Sequence, residues 1–327
     1  MFRIGLIGAG KWGANHLRIF SELSKSNICE FIGVADLNPE TEKLAQKHNI
    51  KFFKDYKEMI PLVDAVSVVV PTNFHYDVVK ECLNNNKHVF VEKPITMQAE
   101  TAKELAQIAK DNNLVLRIGY LFRFNPAVQK LKQEIKENIG KIHYITARYM
   151  HSNKPPRKDS GVVFNFAVHL IDILNFILEK KPIKVFCKNH YHLSEDKEDA
   201  AIITLDYGDF VANLEVTWFH PLKVRDMWII GEKEKVYADL LEQIIQKHPI
   251  EITHDKIESK SKINLEIHKN EPLKEELKHF CTMVDNHKFN LHINDNQKPL
   301  DEEAYITTKI CELCIKSAQE GRELEVK

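Results

Sequence analysis

A chain of 327 residues is longer than one ordinary domain and suits two, each able to bury a core of its own. Its 46 basic and 47 acidic residues nearly cancel and its pI is near 7.0, which leaves no net field to hold a nucleic-acid backbone or an anionic membrane. Small-molecule chemistry is the expectation. No apolar run approaches membrane-spanning length, and "MFRIGLIGAG" is broken by glycines too early for a signal-peptide core, so a soluble, cytoplasmic protein is expected. The six cysteines are scattered through apolar segments, as reduced core thiols are; the one close pair, Cys311 and Cys314, lies in a helical pattern with no second pair or nearby histidine and reads as core, not as a metal site.

From residue 2 to about 119, short β-branched runs alternate with stretches of helical period. "FRIGLIG", "EFIGVAD", "AVSVVV", "HVFVE" and "LVLRIG" read as buried strands, with "WGANHLRIFSEL", "NPETEKLAQKH", "HYDVVKECLNNN" and "MQAETAKELAQIAKDNN" as the helices between them. This predicts an α/β fold, a doubly wound parallel sheet over residues 1–121. After "FNPAVQKLKQEI" the rhythm changes. "KIHYITARYM", "IKVFCKNHYHL", "DAAIITLDY", "DFVANLEVTWF", "RDMWIIGE" and "EKVYADL" are strands joined mostly by short polar turns, so they pair as a large open, mostly antiparallel sheet. With the helices "FAVHLIDILNFILE", "PLKEELKHFCTMVDN" and "DEEAYITTKICELCIKSAQEG", residues 122–327 form an α+β domain, its C-terminal helix free to pack back near the first domain. The polar stretch from about Ile250 to Asn270 reads as a weak edge or a loop.

The first strand runs into "GAGKWG". Gly8 allows a tight turn, Gly10 close approach to a pyrophosphate, and Gly13 close packing of helix on strand, with the anion at the helix N-terminus. The second strand ends in "VAD", 23 residues after Gly13 and near the spacing of about 20 expected for a ribose-binding acid. Asp36 there accepts from ribose hydroxyls and repels a 2′-phosphate, which favours NAD over NADP; Asn38 is the better placed of the two to cap the next helix. Pro71, Thr72 and Asn73 follow the next strand at the carboxyl edge of the sheet, where ligands of open α/β folds bind, although Thr72 or Asn73 also suits a helix cap.

"HVFVEKP" places Glu92 and Lys93 at the same edge. A lysine there donates to a substrate hydroxyl and stabilises developing alkoxide charge, and a cis Lys93–Pro94 bond would aim the ammonium inward; the bland alternative is a solvated lysine after a strand. In "SGVVFNFAVHLIDILNFIL", Asn165, His169 and Asp172 are spaced four and three apart and share one face if the helix begins that early. A polar row in so apolar a segment must be hydrogen-bonded or line a cleft. A lone histidine on such a helix is more often a satisfied core residue, but a dehydrogenase needs a base near neutral pKa, which imidazole supplies.

"GAGKWG", "VAD", "VVVPTNFH", "VEKP", "GYLFRFNP" and "FNFAVHLIDIL", in this order and at these intervals, resemble the oxidoreductase family of glucose-fructose oxidoreductase, inositol dehydrogenase and the rhizopine-catabolism proteins. The resemblance covers nearly the whole chain. It implies a Rossmann domain, a second domain whose open sheet mediates homodimers or tetramers, and hydride transfer between NAD(P) and a sugar or polyol. By position it makes Lys93 the lysine of the Glu-Lys-Pro motif and His169 the acid/base. It adds Lys11, Trp12, His75, Glu92 and Arg123 to the cofactor contacts, with Asn125 beside the nicotinamide. Many members carry aspartate where this chain has Asn165; an amide relays no proton, so Asn165 orients substrate only.

With "VTWFHPLKVRDMWIIGEKEKVYADL" and "EPLKEELKHF", that departure is similar to the branch oxidising UDP-N-acetylglucosamine-type or UDP-N-acetylglucosaminuronate substrates at C3. The basic "NKPPRK" supplies Arg157 for an anionic sugar nucleotide, and a solvated turn explains it nearly as well. The alternatives are the same chemistry on a free sugar or polyol such as an inositol, and an NAD-binding sensor that has lost catalysis, the latter disfavoured because Lys93, Pro94 and His169 are all kept.

Overall fold

The strand "AVSV" is buried at every position and "HVFVE" at all but its first residue, because helices cover both faces of the sheet they lie in. In the computed structural model, which describes residues 1–152, 159–252, 254–288 and 300–327, the chain divides into two units. One comprises Met1–Tyr120 with Leu273–Thr308, the other Leu121–Pro272 with Lys309–Lys327.

The first unit runs β1 (Arg3–Ile7), α1 (Gly13–Lys25), β2 (Glu30–Ala35), α2 (Thr41–Lys47), β3 (Lys51–Phe53), α3 (Tyr56–Met59), β4 (Ala65–Val68), α4 (His75–Asn84), β5 (His88–Glu92), α5 (Ala99–Asp111) and β6 (Leu116–Gly119). All strand pairs are parallel, in the order β3-β2-β1-β4-β5-β6 of a dinucleotide-binding sheet. The five strands expected from sequence are present. The sixth, β3, is three residues long, too short for its period to register.

The second unit begins with α6 (Pro126–Glu137), started by Asn125, whose Oδ1 accepts from Ala127 N at 2.9 Å. There follow β7 (Ile142–Met150), α7 (Val168–Leu178), β8 (Lys184–His190), β9 (Ala200–Asp206), β10 (Val211–Thr217), β11 (Val224–Gly231), β12 (Lys235–Asp239), β13 (Ile244–His248), β14 (Ile250–Ile252), β15 (Ile257–Ser259) and β16 (Ile263–Leu265). Helices α8 (Pro272–Lys288) and α9 (Leu300–Glu320) and the short β17 (Leu324–Glu325) close the chain. Nine strands form one sheet, β16-β13-β12-β11-β7-β10-β9-β8-β17, antiparallel except where β7 meets β10. The stretch read as an edge or loop holds the β14–β15 hairpin and the edge strand β16. Strands β8, β9 and β10 alternate buried with exposed or half-buried residues, so one face is covered.

The first unit is not contiguous in sequence. Leu273, Leu277, Phe280, Cys281 and Val284 of α8 are buried in the same core cluster as Ile4, Leu6, Leu17 and Phe20 of β1 and α1, and Lys274 Nζ reaches Glu22 at 2.8 Å. The division after residue 121 therefore separates α8 from the core that it completes. Helical period shows which face of a segment is apolar and is silent about which sheet will receive it.

Candidate active site

The glycine loop after β1 has the geometry its sequence requires. Gly8 has φ +93°, and a Cβ there would lie 2.8 Å from the Val69 carbonyl. A Cβ on Gly13 would lie 2.2 Å from Gly8 O, so the start of α1 sits directly on the loop. Gly10 faces open space, nothing lying within 4 Å of its missing Cβ, and no side chain caps α1. An uncapped helix N-terminus beside an open glycine suits a pyrophosphate, so the residues present fit NAD. Asp36 stands at the end of β2, its Oδ2 accepting from Ala9 N at 2.6 Å and its Oδ1 from Asn38 N at 2.8 Å. Each carboxylate oxygen keeps capacity for a ribose hydroxyl. Asn38 shapes the preceding turn by accepting from Glu40 N at 3.1 Å; it does not cap α2, whose N-terminal residue Glu40 makes no side-chain cap.

At the end of β5 the sequence expectation needs correction. Glu92 does not face outward: it is 6% exposed and lies over Gly119, where an added Cβ would meet its carboxylate at 2.9 Å. Its Oε1 accepts from Trp12 Nε1 at 2.8 Å and lies 3.1 Å from His16 Nε2, while its Oε2 takes the Lys93 backbone N–H at 3.2 Å. His16 continues to Ser67 Oγ at 3.0 Å. Burial pushes the Glu92 carboxyl up, but the His16 contact, with Trp12 and the Lys93 charge, outweighs it and the net shift is downward. Glu92 thus ties the cofactor loop to the turn carrying Lys93, which is half-buried and follows with a cis Lys93–Pro94 bond.

His75 is likewise turned inward, 1% exposed, with Nδ1 2.8 Å from Pro94 O and Nε2 2.9 Å from Val70 O. The expected cofactor contact at His75 is replaced by a fastening between the ends of β4 and β5. Pro71 and Asn73 are exposed at the carboxyl end of β4, whereas Thr72 is buried in the short turn before α4. No side chain caps α4.

In the second unit, Asn165, His169 and Asp172 are all buried, but the turn holding Asn165 is wider than an α-helix. Residues Val163–Ala167 form a π turn that leads into α7. Glu198 starts this element: its carbonyl takes the Val162 N–H at 2.9 Å and its Oε1 the Val163 N–H at 3.0 Å. Burial raises the Glu198 carboxyl above its ordinary range. His169 stacks on Tyr149 of β7, centroids 5.4 Å apart and planes 8° apart, and meets Phe122 edge-on at 5.2 Å. Burial pushes the Tyr149 phenol up to about 12, with the Arg225 charge pulling against it.

Arg123 was expected among the cofactor contacts. It is 7% exposed, with Nε 3.1 Å from both Asp172 oxygens and Nη2 2.6 Å from Oδ1, so its fork anchors α7. Asn125, expected beside the nicotinamide, spends its side chain on the α6 cap and on Leu240 O, 2.9 Å from Nδ2. Arg157 lies outside the described residues. No group of three potential metal-ligating side chains occurs among the described residues. Sequence reasoning missed His16, Tyr149, Glu198 and Arg225; the pairing of Tyr149 with Arg225 across β7 and β11 is a register fact that no local pattern carries.

Residues 2–120 match the oxidoreductase family with an NAD-binding Rossmann fold, and residues 128–237 match the GFO/IDH/MocA C-terminal domain. A UDP-N-acetylglucosamine 3-dehydrogenase of Acidithiobacillus ferrooxidans is 30% identical over 242 residues, 73% of this chain and 74% of that protein. A myo-inositol 2-dehydrogenase of Thermotoga maritima is 26% identical over 72% of this chain and 75% of its own length. Among solved structures, a levoglucosan dehydrogenase in complex with NADH and L-sorbose shares the fold with a TM-score of 0.85 at 17% identity, covering 100% of this chain and 99% of its own. The chain therefore belongs to the family of glucose-fructose oxidoreductase, inositol dehydrogenase and rhizopine-catabolism proteins, and is an NAD-binding dehydrogenase of CH–OH groups.

Proposed function

We propose that this dehydrogenase oxidises a ring hydroxyl, at C3, of a UDP-linked N-acetyl sugar. The observation that carries the reading is the likeness to a UDP-N-acetylglucosamine 3-dehydrogenase across both halves of the chain. The amide of Asn165, with no proton to relay, is in keeping with it. Gly8, Gly10, Lys11, Trp12, Gly13, Asp36, Pro71, Thr72 and Asn73 are the residues that hold NAD, which supplies the hydride acceptor when bound. Lys93 donates a hydrogen bond to the substrate hydroxyl and stabilises its oxygen as negative charge develops. His169 takes the hydroxyl proton, with its ring plane set by Tyr149 and Phe122, and Asn165 fixes the neighbouring part of the sugar.

Three of the relatives are inositol dehydrogenases by name, which supports a second reading, the same chemistry on a free polyol. Purified protein incubated with NAD and each substrate class, followed at the absorbance of NADH, separates the two. Turnover of free polyols with indifference to UDP-sugars overturns the first. Lys93→Ala and His169→Ala are each expected to lower kcat by roughly 10²- to 10⁴-fold. If the two groups serve one hydroxyl, the double variant loses far less than the product of the single losses.

The exposed side chains Tyr144, Phe186, Ile202 and Val211 on neighbouring strands β7 to β10 support self-association through that sheet as a homodimer or tetramer. Light scattering of wild type against Ile202→Lys reads it directly, a monomeric wild type counting against it.

A further inference from the structure

Two arginines occupy adjacent positions across β7 and β11, and they are treated differently. Arg148 pairs with Asp226 directly opposite, Nε to Oδ1 at 2.9 Å and Nη2 to Oδ2 at 2.5 Å. One position along, Arg225 is opposite Tyr149, and its guanidinium lies over that ring, Cζ 4.2 Å from the centroid. Its Nε is buried without a hydrogen-bond acceptor, and among the described residues no carboxylate pairs with it. A buried N–H without an acceptor is disfavoured, and a guanidinium resting on an aromatic face keeps the N–H edge in its own plane clear of the ring for a planar oxyanion.

The ring beneath Arg225 is the one on which His169 stacks. The imidazole and the guanidinium are thus no farther apart than the 5.4 Å and 4.2 Å ring contacts laid end to end, a span that a sugar ring covers together with a hydrogen bond at each end. Successive residues alternate between the two faces of a strand, which puts Arg225 with Tyr149 on the face packed by α7 and the Arg148–Asp226 pair on the other. The Tyr149 phenol is not a competing anion, because burial keeps it protonated.

We propose that Arg225 is the anion-recognition residue for the substrate, pairing with a carboxylate or phosphate oxygen carried a few atoms from the hydroxyl that His169 deprotonates. This rests on the reading of His169 given above. It narrows the substrate class to sugars bearing an anionic group, either a C6 carboxylate or the diphosphate link of the nucleotide. A neutral polyol leaves Arg225 unmatched.

The test compares wild type, Arg225→Met and Arg225→Lys, each with NAD, on UDP-N-acetylglucosaminuronate, UDP-N-acetylglucosamine, glucose 6-phosphate and myo-inositol. The expected result is a KM raised roughly 30-fold or more in Arg225→Met for the anionic substrate that wild type oxidises, kcat changed less than about threefold, and partial rescue by lysine. A loss confined to the uronate identifies the carboxylate as the partner; equal losses on both UDP-sugars identify the diphosphate. Equal changes on myo-inositol and on the anionic substrates mean a packing role and overturn the proposal, as does an unchanged KM throughout.

If wild type oxidises no UDP-sugar, the UDP-sugar reading fails by itself. Arg225 is then judged on glucose 6-phosphate and on thermal stabilisation of the NAD-loaded protein by glucuronate and by UDP. Stabilisation of wild type that disappears in Arg225→Met sustains the proposal; a wild type indifferent to all of these anions ends it.

Discussion

The Glu92 cluster of the first unit and the Tyr149 cluster of the second hold their functional side chains by opposite means. Around Glu92, one buried carboxylate faces the Trp12 indole N–H, the His16 ring and the Lys93 backbone N–H. Around Tyr149, faces and edges of rings set the geometry: His169 stacked, Phe122 edge-on and Phe166 tilted against the phenol, Arg225 over it. Hydrogen bonds at Glu92 specify atoms and punish a change of polarity. Ring contacts at Tyr149 specify planes and punish a change of shape. The difference suits the chemistry proposed above, in which a lysine acting as a charge needs its backbone origin fixed and an imidazole that takes a proton needs its plane fixed.

The largest effect expected is at Glu92. Glu92→Leu removes the shared partner of the Trp12 indole N–H, the Lys93 backbone N–H and the buried His16 ring, and should cost about 3–5 kcal/mol in urea unfolding while raising the KM for NAD through the released Trp12. Tyr149→Leu, which removes the ring, should cost about 2–4 kcal/mol and lower kcat more than it raises KM.

A third measurement concerns a histidine outside both clusters. Burial first, then the charge of His287, lowers the His88 pKa to about 4 from its ordinary 6.5, and its Nδ1 accepts from Val115 N at 2.9 Å. Between those two values the unfolded chain binds the extra proton and the folded one does not, so stability falls as the pH drops through that window. His88 is partly exposed, which reduces the contribution to on the order of 2 kcal/mol between pH 7 and 4. The urea midpoint of wild type should therefore fall relative to that of His88→Gln on acidification, and parallel curves would refute the assignment. The smallest effect is Tyr149→Phe, within about 0.5 kcal/mol and with kcat nearly unchanged. If this deletion of one hydroxyl costs as much as Glu92→Leu, the contrast between polar and ring-built clusters collapses.

What the sequence made legible follows from periodicity and from position. Strand and helix alternation gave the sheet, and "GAGKWG" followed by Asp36 gave the nucleotide loop, because each is a local pattern with a fixed physical meaning. Lys93 at the end of a buried strand could be placed at the carboxyl edge for the same reason. The inward turn of Glu92 was hidden because its partners come from residues 12 and 16, on a different element. Arg123 and His75 are polar residues in plausible motif positions whose acceptors, Asp172 and two backbone carbonyls, are set by tertiary packing. The row of Asn165, His169 and Asp172 was visible as a spacing, yet the π turn that widens it leaves no mark in the pattern of apolar residues.

The return of α8 to the first core bears on how the protein is made. Phe280 and Val284 leave the ribosome more than 150 residues after Tyr120, so during synthesis the nascent Rossmann half must wait with its apolar flank unsealed. A fragment ending at Tyr120 should be a client for chaperones, and supplying the missing helix in trans should quench its binding of a hydrophobic dye.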